Sequence, residues 1–150
     1  MIDRDFWYAS IEGIIYTKMR DIVEPILAER YPGETIYFTT QQEVNHSAEF
    51  PTIYFRQIDS DQAGITLDGT SVNALLARFQ CEVYSPLEDQ AKDISFIVMR
   101  AMVSMGFESY FTPKGGLSRD MVTRVVARYR RYIGVDDTDI TDDGIEEENP

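Results

Sequence analysis

Residues 75–106 read LLARFQCEVYSPLEDQAKDISFIVMRAMVSMG, and two patterns within them decide the fold. The first eleven residues alternate apolar with mostly polar side chains, which is the period of a half-buried β-strand. The apolar set consists of Leu75, Ala77, Phe79, Cys81 and Val83. We therefore expect a strand with this set in the core and the intervening residues on the opposite face of the sheet.

An amphipathic helix is predicted to follow this strand without a linker. Ser85 is a suitable N-cap, Pro86 suits the first helical position and Glu88 completes a capping box. Gly106 fits the C-terminal cap. Between the two caps, one apolar stripe at steps of three and four comprises Leu87, Ala91, Ile94, Val98, Ala101 and Met105. This stripe predicts a helix that packs flat on the sheet.

The N-terminal part has the pattern of another long helix. Apolar residues recur at helical spacing over residues 8–31, and we expect Pro25 to kink this helix or split it in two. Further along, residues 59–73 are dense in Asp, Gly, Ser and Thr. This composition predicts a polar projecting loop that is mobile in the free chain and becomes ordered against a partner.

The remaining strands are predicted from segments rich in β-branched and aromatic residues. Residues 34–40 and 50–58 are typical of neighbouring antiparallel strands, and residues 107–112 and 121–133 of two more around a turn at PKGG. Elements in this order favour a single α+β domain over residues 1–135. We expect an antiparallel sheet of about four to five strands with two main helices packed on one face.

The charge of the chain is unevenly distributed. The formal net charge is −12, and residues 136–150 contain eight acids and no base. Such a segment repels itself and has little apolar surface to bury, so we expect a disordered acidic tail, either a solvated end or a docking segment. Because no apolar run could span a bilayer and the first residues do not form a signal peptide, we expect synthesis in the cytoplasm and no membrane partner.

Residues suited to catalysis or metal binding are scarce. The chain has one histidine, His46, in a polar segment, and one cysteine, Cys81, on the inward side of the predicted strand. One cysteine and one histidine cannot complete a zinc site, and His46 has no nucleophile partner in the pattern. The glycines lack the spacing of a phosphate-binding loop. We expect no enzyme activity, no cofactor and no metal, with Cys81 a buried apolar side chain.

Arginines concentrate in the last predicted strand, where residues 122–133 read VTRVVARYRRYI. Alternation places three of them on the outer face of the sheet with two from neighbouring strands, and Glu82 is the only acid expected there. The candidate interface comprises Arg56, Arg78, Arg124, Arg128 and Arg130, with Asp59, Asp61 and Asp68 from the predicted loop. A solvated basic surface, an interface with another protein subunit and a DNA contact remain open as its role.

The chain resembles the tail terminator, or tail-completion, proteins of long-tailed bacteriophages. The resemblance covers residues 5–133 and rests on the element order, the stretches FPTIYFRQID and ARFQCEVYSPLEDQAKDI, and a second helix that exits through MGF. It implies a non-enzymatic structural protein that forms a ring, hexameric in that family, with a central channel through which DNA passes. The implied partners are further copies of the chain, the tail tube protein and the head–tail connector protein. The implied location is the head-proximal end of the virion tail.

Two other classes of protein remain open. A different phage head–tail neck or connector protein would share the α+β build and the oligomeric state, and its position in the particle would distinguish it. A small nucleic-acid-binding regulator would use the arginines to contact DNA, although the acidic chain lacks the interleaved aromatic residues of a stacking platform. Salt-dependent DNA binding would identify the regulator.

Overall fold

The chain folds around a five-stranded mixed sheet with two helices. The computed structural model describes residues 10–40, 50–65, 72–117 and 122–134. The elements are α1 (Ile11–Arg30), β1 (Tyr37–Thr39), β2 (Thr52–Ile65), β3 (Val72–Ser85), α2 (Glu88–Ser104), β4 (Glu108–Leu117) and β5 (Thr123–Gly134). The strand order in the sheet is β1-β2-β3-β5-β4. The predicted α+β class is confirmed, and the boundary predicted at residue 135 lies outside the described residues.

The core lies between the two helices and one face of the sheet, as the alternation in β3 predicts. The apolar set of β3 is buried, and residues paired with it in β5, such as Val125 and Ala127, are fully buried as well. Helix α1 adds one stripe at steps of four, comprising Ile11, Ile15, Met19, Val23 and Leu27. Cys81 is buried as expected, and burial raises the pKa of its thiol.

Pro25 does not split the first helix. Helix α1 continues from Ile11 to Arg30 with Pro25 inside it, so the expected division into two helices is wrong. Proline removes one backbone donor, but the buried stripe continues on both sides of it, through Val23 and Leu27. Burial of this stripe holds the helix together across a position that its local propensity disfavours.

Strands β1 and β2 are parallel, whereas the sequence pattern led us to expect an antiparallel pair. The register joins Tyr37 to Thr52 and Thr39 to Tyr54. Parallel neighbours need a crossover connection of about a dozen residues, and the chain between Thr39 and Thr52 is long enough for one. The sheet is therefore mixed, with β1 as a short edge strand beside β2.

The segment predicted as a projecting loop is largely β-hairpin. Residues 59–65 continue β2 and pair with β3 up to Ile65 opposite Val72, so the loop expected over residues 59–73 is wrong there. Register shifts follow Gln57 and Gln62, which let the long strand bend. A polar composition does not prevent pairing, because the backbone supplies the ladder hydrogen bonds. The expected mobility falls partly on residues 66–71, which lie outside the described residues.

The PKGG sequence lies within a strand and does not form the expected turn. Strand β4 runs from Glu108 to Leu117 and pairs with β5, with register shifts after Ser109 and Phe111. Such irregularities accommodate glycine and a proline on an edge strand, where one side of the backbone needs no partner in the sheet. The strand predicted over residues 107–112 is therefore too short.

Helix α2 begins later than the capping box predicts but ends where expected. Its N-cap is Leu87, without a side-chain cap, and the Ser85 hydroxyl instead accepts from the Leu87 amide at 3.0 Å and donates to Gln90 at 2.7 Å. At the other end, the Gly106 amide bonds to Val103 O and the Phe107 amide to Met102 O. This pair of bonds is a Schellman motif, and it requires the positive φ of 88° at Gly106.

Most of the stripe predicted for α2 is buried. Ala91, Ile94, Val98 and Ala101 have at most 2% exposure, whereas Leu87, which caps the helix, is 64% exposed. Arg30 and Tyr31 at the end of α1 both donate hydrogen bonds to Asp93 of α2. Burial favours a higher pKa for Asp93, but these hydrogen bonds outweigh it and lower the pKa. The two helices are thus joined to each other as well as to the sheet.

Replacing Gly106 tests the end of α2 against a matched glycine in α1. Gly106→Ala should lower the free energy of unfolding by about 1–2 kcal/mol, because L residues are strained at positive φ. An added Cβ would also lie 2.8 Å from Nε of Arg131. Gly13→Ala should raise the free energy of unfolding by about 0.5–1 kcal/mol, because a Cβ meets nothing within 4 Å in that helix. Urea denaturation of both variants measures the pair, and equal effects would contradict this account.

Candidate interface on the outer face of the sheet

The candidate site is the sheet face opposite the helices. The strand register aligns its residues in rows that run across neighbouring strands. We call the five arginines Arg56, Arg78, Arg124, Arg128 and Arg130 the arginine face. In the first row, Arg124 lies opposite Tyr84 and Thr52. In a second, the central row, Arg128 lies opposite Gln80 and Arg56. In a third, Arg130 lies between Arg78 and Glu108. The structure therefore brings all five predicted arginines onto one face.

Glu82 is a buried hydrogen-bond acceptor in the row between those of Arg124 and Arg128, where it lies opposite Val126 and Tyr54. Its carboxylate accepts from Gln80 Nε2 at 2.6 Å, Tyr84 Oη at 2.6 Å and Arg124 Nε at 2.9 Å. Burial favours a higher pKa for Glu82, but these three donors and the charge of Arg124 outweigh it and lower the pKa. Burial and the bond to Glu82 raise the pKa of Tyr84 to about 12. Arg124 is therefore held in place by an ion pair within the sheet.

Arg130 also has a carboxylate partner, which the sequence pattern did not reveal. Its Nε lies 2.8 Å from Oε1 of Glu108, and its guanidinium carbon lies 5.1 Å from the centre of the Tyr110 ring. The expectation that Glu82 is the only acid on this face is wrong. Both side chains of the Arg130–Glu108 pair are more than 40% exposed, so the pair contributes little stability.

The central row contains two guanidinium groups and no carboxylate. Arg128 Nε donates to Oε1 of Gln80 at 2.8 Å, which is a neutral acceptor. The Arg56 guanidinium lies 5.8 Å from the centre of the Tyr54 ring. Its Nε is buried and has no hydrogen-bond partner within the described part of the chain. On the β4 side, the row ends at Phe111. By residue identity, the central row therefore carries two cationic side chains and no acidic one, next to the row that contains Glu82.

The acidic members of the candidate set lie at different places. In the backbone register, Asp59 is opposite Arg78 and Asp61 is opposite Leu76, so both belong to β2 instead of a loop. Asp68 lies outside the described residues, as does His46. Sequence reasoning missed the burial of Gln80 and Glu82, which are 8% and 4% exposed. The available signal was their spacing, because residues two apart in a strand share one face and can bond to each other.

Removing the Glu82 carboxylate should destabilise the fold much more than removing the Glu108 carboxylate. Glu82→Ala leaves the Gln80, Tyr84 and Arg124 donors without their acceptor and should lower the free energy of unfolding by about 2–4 kcal/mol. Glu108→Ala breaks an exposed pair and should cost less than about 1 kcal/mol. Chemical denaturation at neutral pH measures both variants.

The effect of Glu82→Ala should depend on pH in a defined direction. The folded-state pKa of Glu82 is lowered, so its contribution to stability is complete above the unfolded value of about 4.3. It is lost as the pH falls through the lower folded-state pKa. The stability difference between wild type and Glu82→Ala should shrink below about pH 4.3. A difference that grows in acid would contradict the assigned hydrogen bonds.

Comparison with known proteins assigns no family to the chain. No family model matches the sequence, and no similar protein is found among curated proteins. Neither helix of the described structure is long and apolar enough to cross a membrane. Within the described ranges, no three His, Cys, Asp or Glu side chains are grouped so that they could hold a metal ion.

Proposed function

We propose that the chain is a structural virion protein of a long-tailed bacteriophage, a tail terminator that caps the tail tube and joins the tail to the head. In this proposal it forms a ring of identical copies, a hexamer by the resemblance to that family, and it has no catalytic role. Its partners are the tail tube protein and the head–tail connector protein, and DNA passes through the ring. The arginine face is the surface that contacts another protein subunit.

The observation that supports a protein interface is the central row. Arg56 and Arg128 flank a neutral glutamine, and the buried Nε of Arg56 has no hydrogen-bond partner in the described structure. Guanidinium groups are enriched in protein interfaces because they bind carboxylates through two parallel hydrogen bonds. Both helices lie on the other side of the sheet, so neither of them covers this face.

The partner surface expected for the arginine face is acidic, and the chain carries such surfaces itself. Asp21 and Glu29 are exposed on α1, on the opposite side of the molecule from the arginine face, whereas Glu24 on the same helix is ion-paired with Arg20. A contact between two different surfaces of identical copies is heterologous, and such contacts close into rings when the rotation allows it. This arrangement favours self-assembly, and an acidic patch on a tail or connector subunit would dock by the same chemistry.

DNA binding is the second candidate, and one observation favours it. Tyr132 is 66% exposed and lies one row beyond Arg130 on the outer face. A stacking platform needs several exposed rings, whereas Tyr54 is buried and Tyr84 is bonded to Glu82. Binding of short DNA that weakens steeply with salt would favour this candidate over a protein interface.

The mass of the purified chain, alone and with tail tubes lacking their terminator, tests the proposed function. The chain has a mass of 17.3 kDa, so a ring should appear as an integral multiple of that value. We expect the ring to form or persist on the tubes and to restore joining to heads. A chain that remains monomeric and does not bind tubes would contradict the proposal. Binding to isolated connectors with no binding to tubes would instead identify another neck protein.

A further inference from the structure

The acidic C-terminal segment begins where the strand with most of the arginine face ends. Strand β5 ends at Gly134, and it carries Arg124, Arg128 and Arg130. Residues 136–150, which follow it after a single valine, contain eight acids and no base. The segment with the most concentrated negative charge is therefore attached directly to the strand with the most concentrated positive charge.

The segment is long enough to reach the whole arginine face of its own chain. Arg128 is six positions before Gly134 in β5, which corresponds to about 20 Å along the strand. The sixteen residues after Gly134 span up to about 50 Å when extended. Reversal of the chain direction takes about four residues, which still leaves enough length to return past Arg128.

The central row offers the carboxylates of this segment a specific place to bind. Arg56 and Arg128 lie in neighbouring positions on either side of Gln80, about 10 Å apart at the backbone. The segment also contains Ile140, and Tyr132 is an exposed apolar side chain between the end of β5 and the arginines. Three of the eight acids precede Ile140, in or near the reversal, and five follow it. A contact between Ile140 and Tyr132 can therefore be followed along the return path by carboxylates against guanidinium groups.

We propose that residues 136–150 bind back onto the arginine face of the same chain, with carboxylates of the segment bridging Arg56 and Arg128. Strand β5 is paired on both sides, with β3 and with β4. The segment therefore adds no strand beside β5 and lies across the sheet face instead. The contact is intramolecular, so its effective concentration is high even though each exposed ion pair is weak.

This docking stands on the charges of the chain and does not require a role in the virion. The effect of docking on assembly, in contrast, rests on the proposed function. A subunit that uses the arginine face must displace the acidic segment, so the segment limits premature assembly and the correct partner must provide a better carboxylate surface. Failure of docking would leave the proposed ring untouched, and absence of a ring would leave docking untouched.

A spin label in the segment tests the docking on the full-length chain. Thr141→Cys provides the attachment point, because Cys81 is buried and burial raises the pKa of its thiol. In ¹⁵N-labelled protein at low salt, the nitroxide should broaden the amide signals of Arg56, Gln80 and Arg128. The broadening should disappear at about 1 M salt, where the Debye length is only about 3 Å.

Two charge-matched variants separate docking from proximity to the end of β5. Arg56→Gln with Arg128→Gln should abolish the broadening, whereas Lys92→Gln with Arg100→Gln removes the same charge from α2 and should preserve it. Broadening that survives the first pair, or is absent from the wild type, would overturn the proposal. Docking onto a second copy is detected by mixing spin-labelled chains of natural isotope content with ¹⁵N chains that carry no spin label. Broadening seen only in that mixture would overturn the intramolecular arrangement.

Discussion

Val98→Asp is expected to lower the free energy of unfolding by about 3–5 kcal/mol, a large fraction of the roughly 5–15 kcal/mol of an ordinary domain. Val98 is fully buried in the cluster formed by α1, α2 and the inner face of the sheet. A carboxylate there would lose its water without gaining an ion-pair partner, since the cluster is apolar. Thermal and urea denaturation followed by circular dichroism measure the effect.

Val103→Asp is the matched control for this prediction. Val103 lies on the same helix but is 52% exposed, so an introduced carboxylate remains hydrated there. We expect its stability to stay within about 0.5 kcal/mol of the wild type, as is usual for surface substitutions. If Val98→Asp unfolded at the same denaturant concentration as Val103→Asp, α2 would not pack on the sheet through the stripe that contains Val98.

Reversing the charge of the central row is expected to abolish self-assembly while leaving the chain folded. Arg56→Glu with Arg128→Glu places two carboxylates where an acidic partner surface binds, which replaces attraction by repulsion. Both positions are half-buried on the face without helices, and the Gln80 amide can donate to a carboxylate in the same row. Sedimentation velocity should show the monomer, and circular dichroism should show an unchanged fold.

The choice of residues for this variant follows from the ion pairs. Arg124 is unsuitable because it donates to the buried Glu82, so its reversal would place two carboxylates together and destabilise the monomer. Lys92→Glu with Arg100→Glu on α2 makes the same change in net charge on an exposed helical surface. This control should assemble like the wild type. Equal assembly of both double variants would show that the arginine face is solvated surface.

The sequence predicts those parts of the fold in which buried residues recur at one regular spacing. In β3, the alternation of residues such as Ala77 with Arg78 gives the correct inward face. In α2, the apolar stripe gives the helix, and Gly106 gives its end, because a side chain is strained at that positive φ. These signals are local, so a single sequence contains them.

The parts that the sequence does not predict depend on which strands meet. The parallel pairing of β1, the extension of β2 to Ile65 and the inclusion of PKGG in β4 are each stabilised by backbone bonds to a neighbouring strand. Backbone pairing leaves little trace in the side-chain pattern, and polar or glycine-rich residues can take part in it. Composition alone therefore favours loops or turns at these places.

The candidate site shows the same division between local and tertiary information. Alternation correctly places five arginines on the outer face. In the register, each of them pairs with other residues of that face and not with the buried apolar set. The ion pair between Arg130 and Glu108 depends on how β4 aligns with β5, which the sequence pattern does not show. The same holds for the burial of Glu82 under three donors.

The most direct test of the arginine face as a protein interface is the chemical accessibility of its unchanged arginines. Phenylglyoxal reacts with exposed guanidinium groups, and peptide mass spectrometry locates the modified arginines. The assembled form and the dissociated chain are compared at the same salt concentration, with residues 136–150 removed from both so that docking of that segment cannot protect the arginines in the dissociated chain. Arg100 on α2 is the internal reference. We predict that assembly protects Arg56 and Arg128 while Arg100 reacts equally in both forms. Equal reaction of Arg56 and Arg128 before and after assembly would contradict the account.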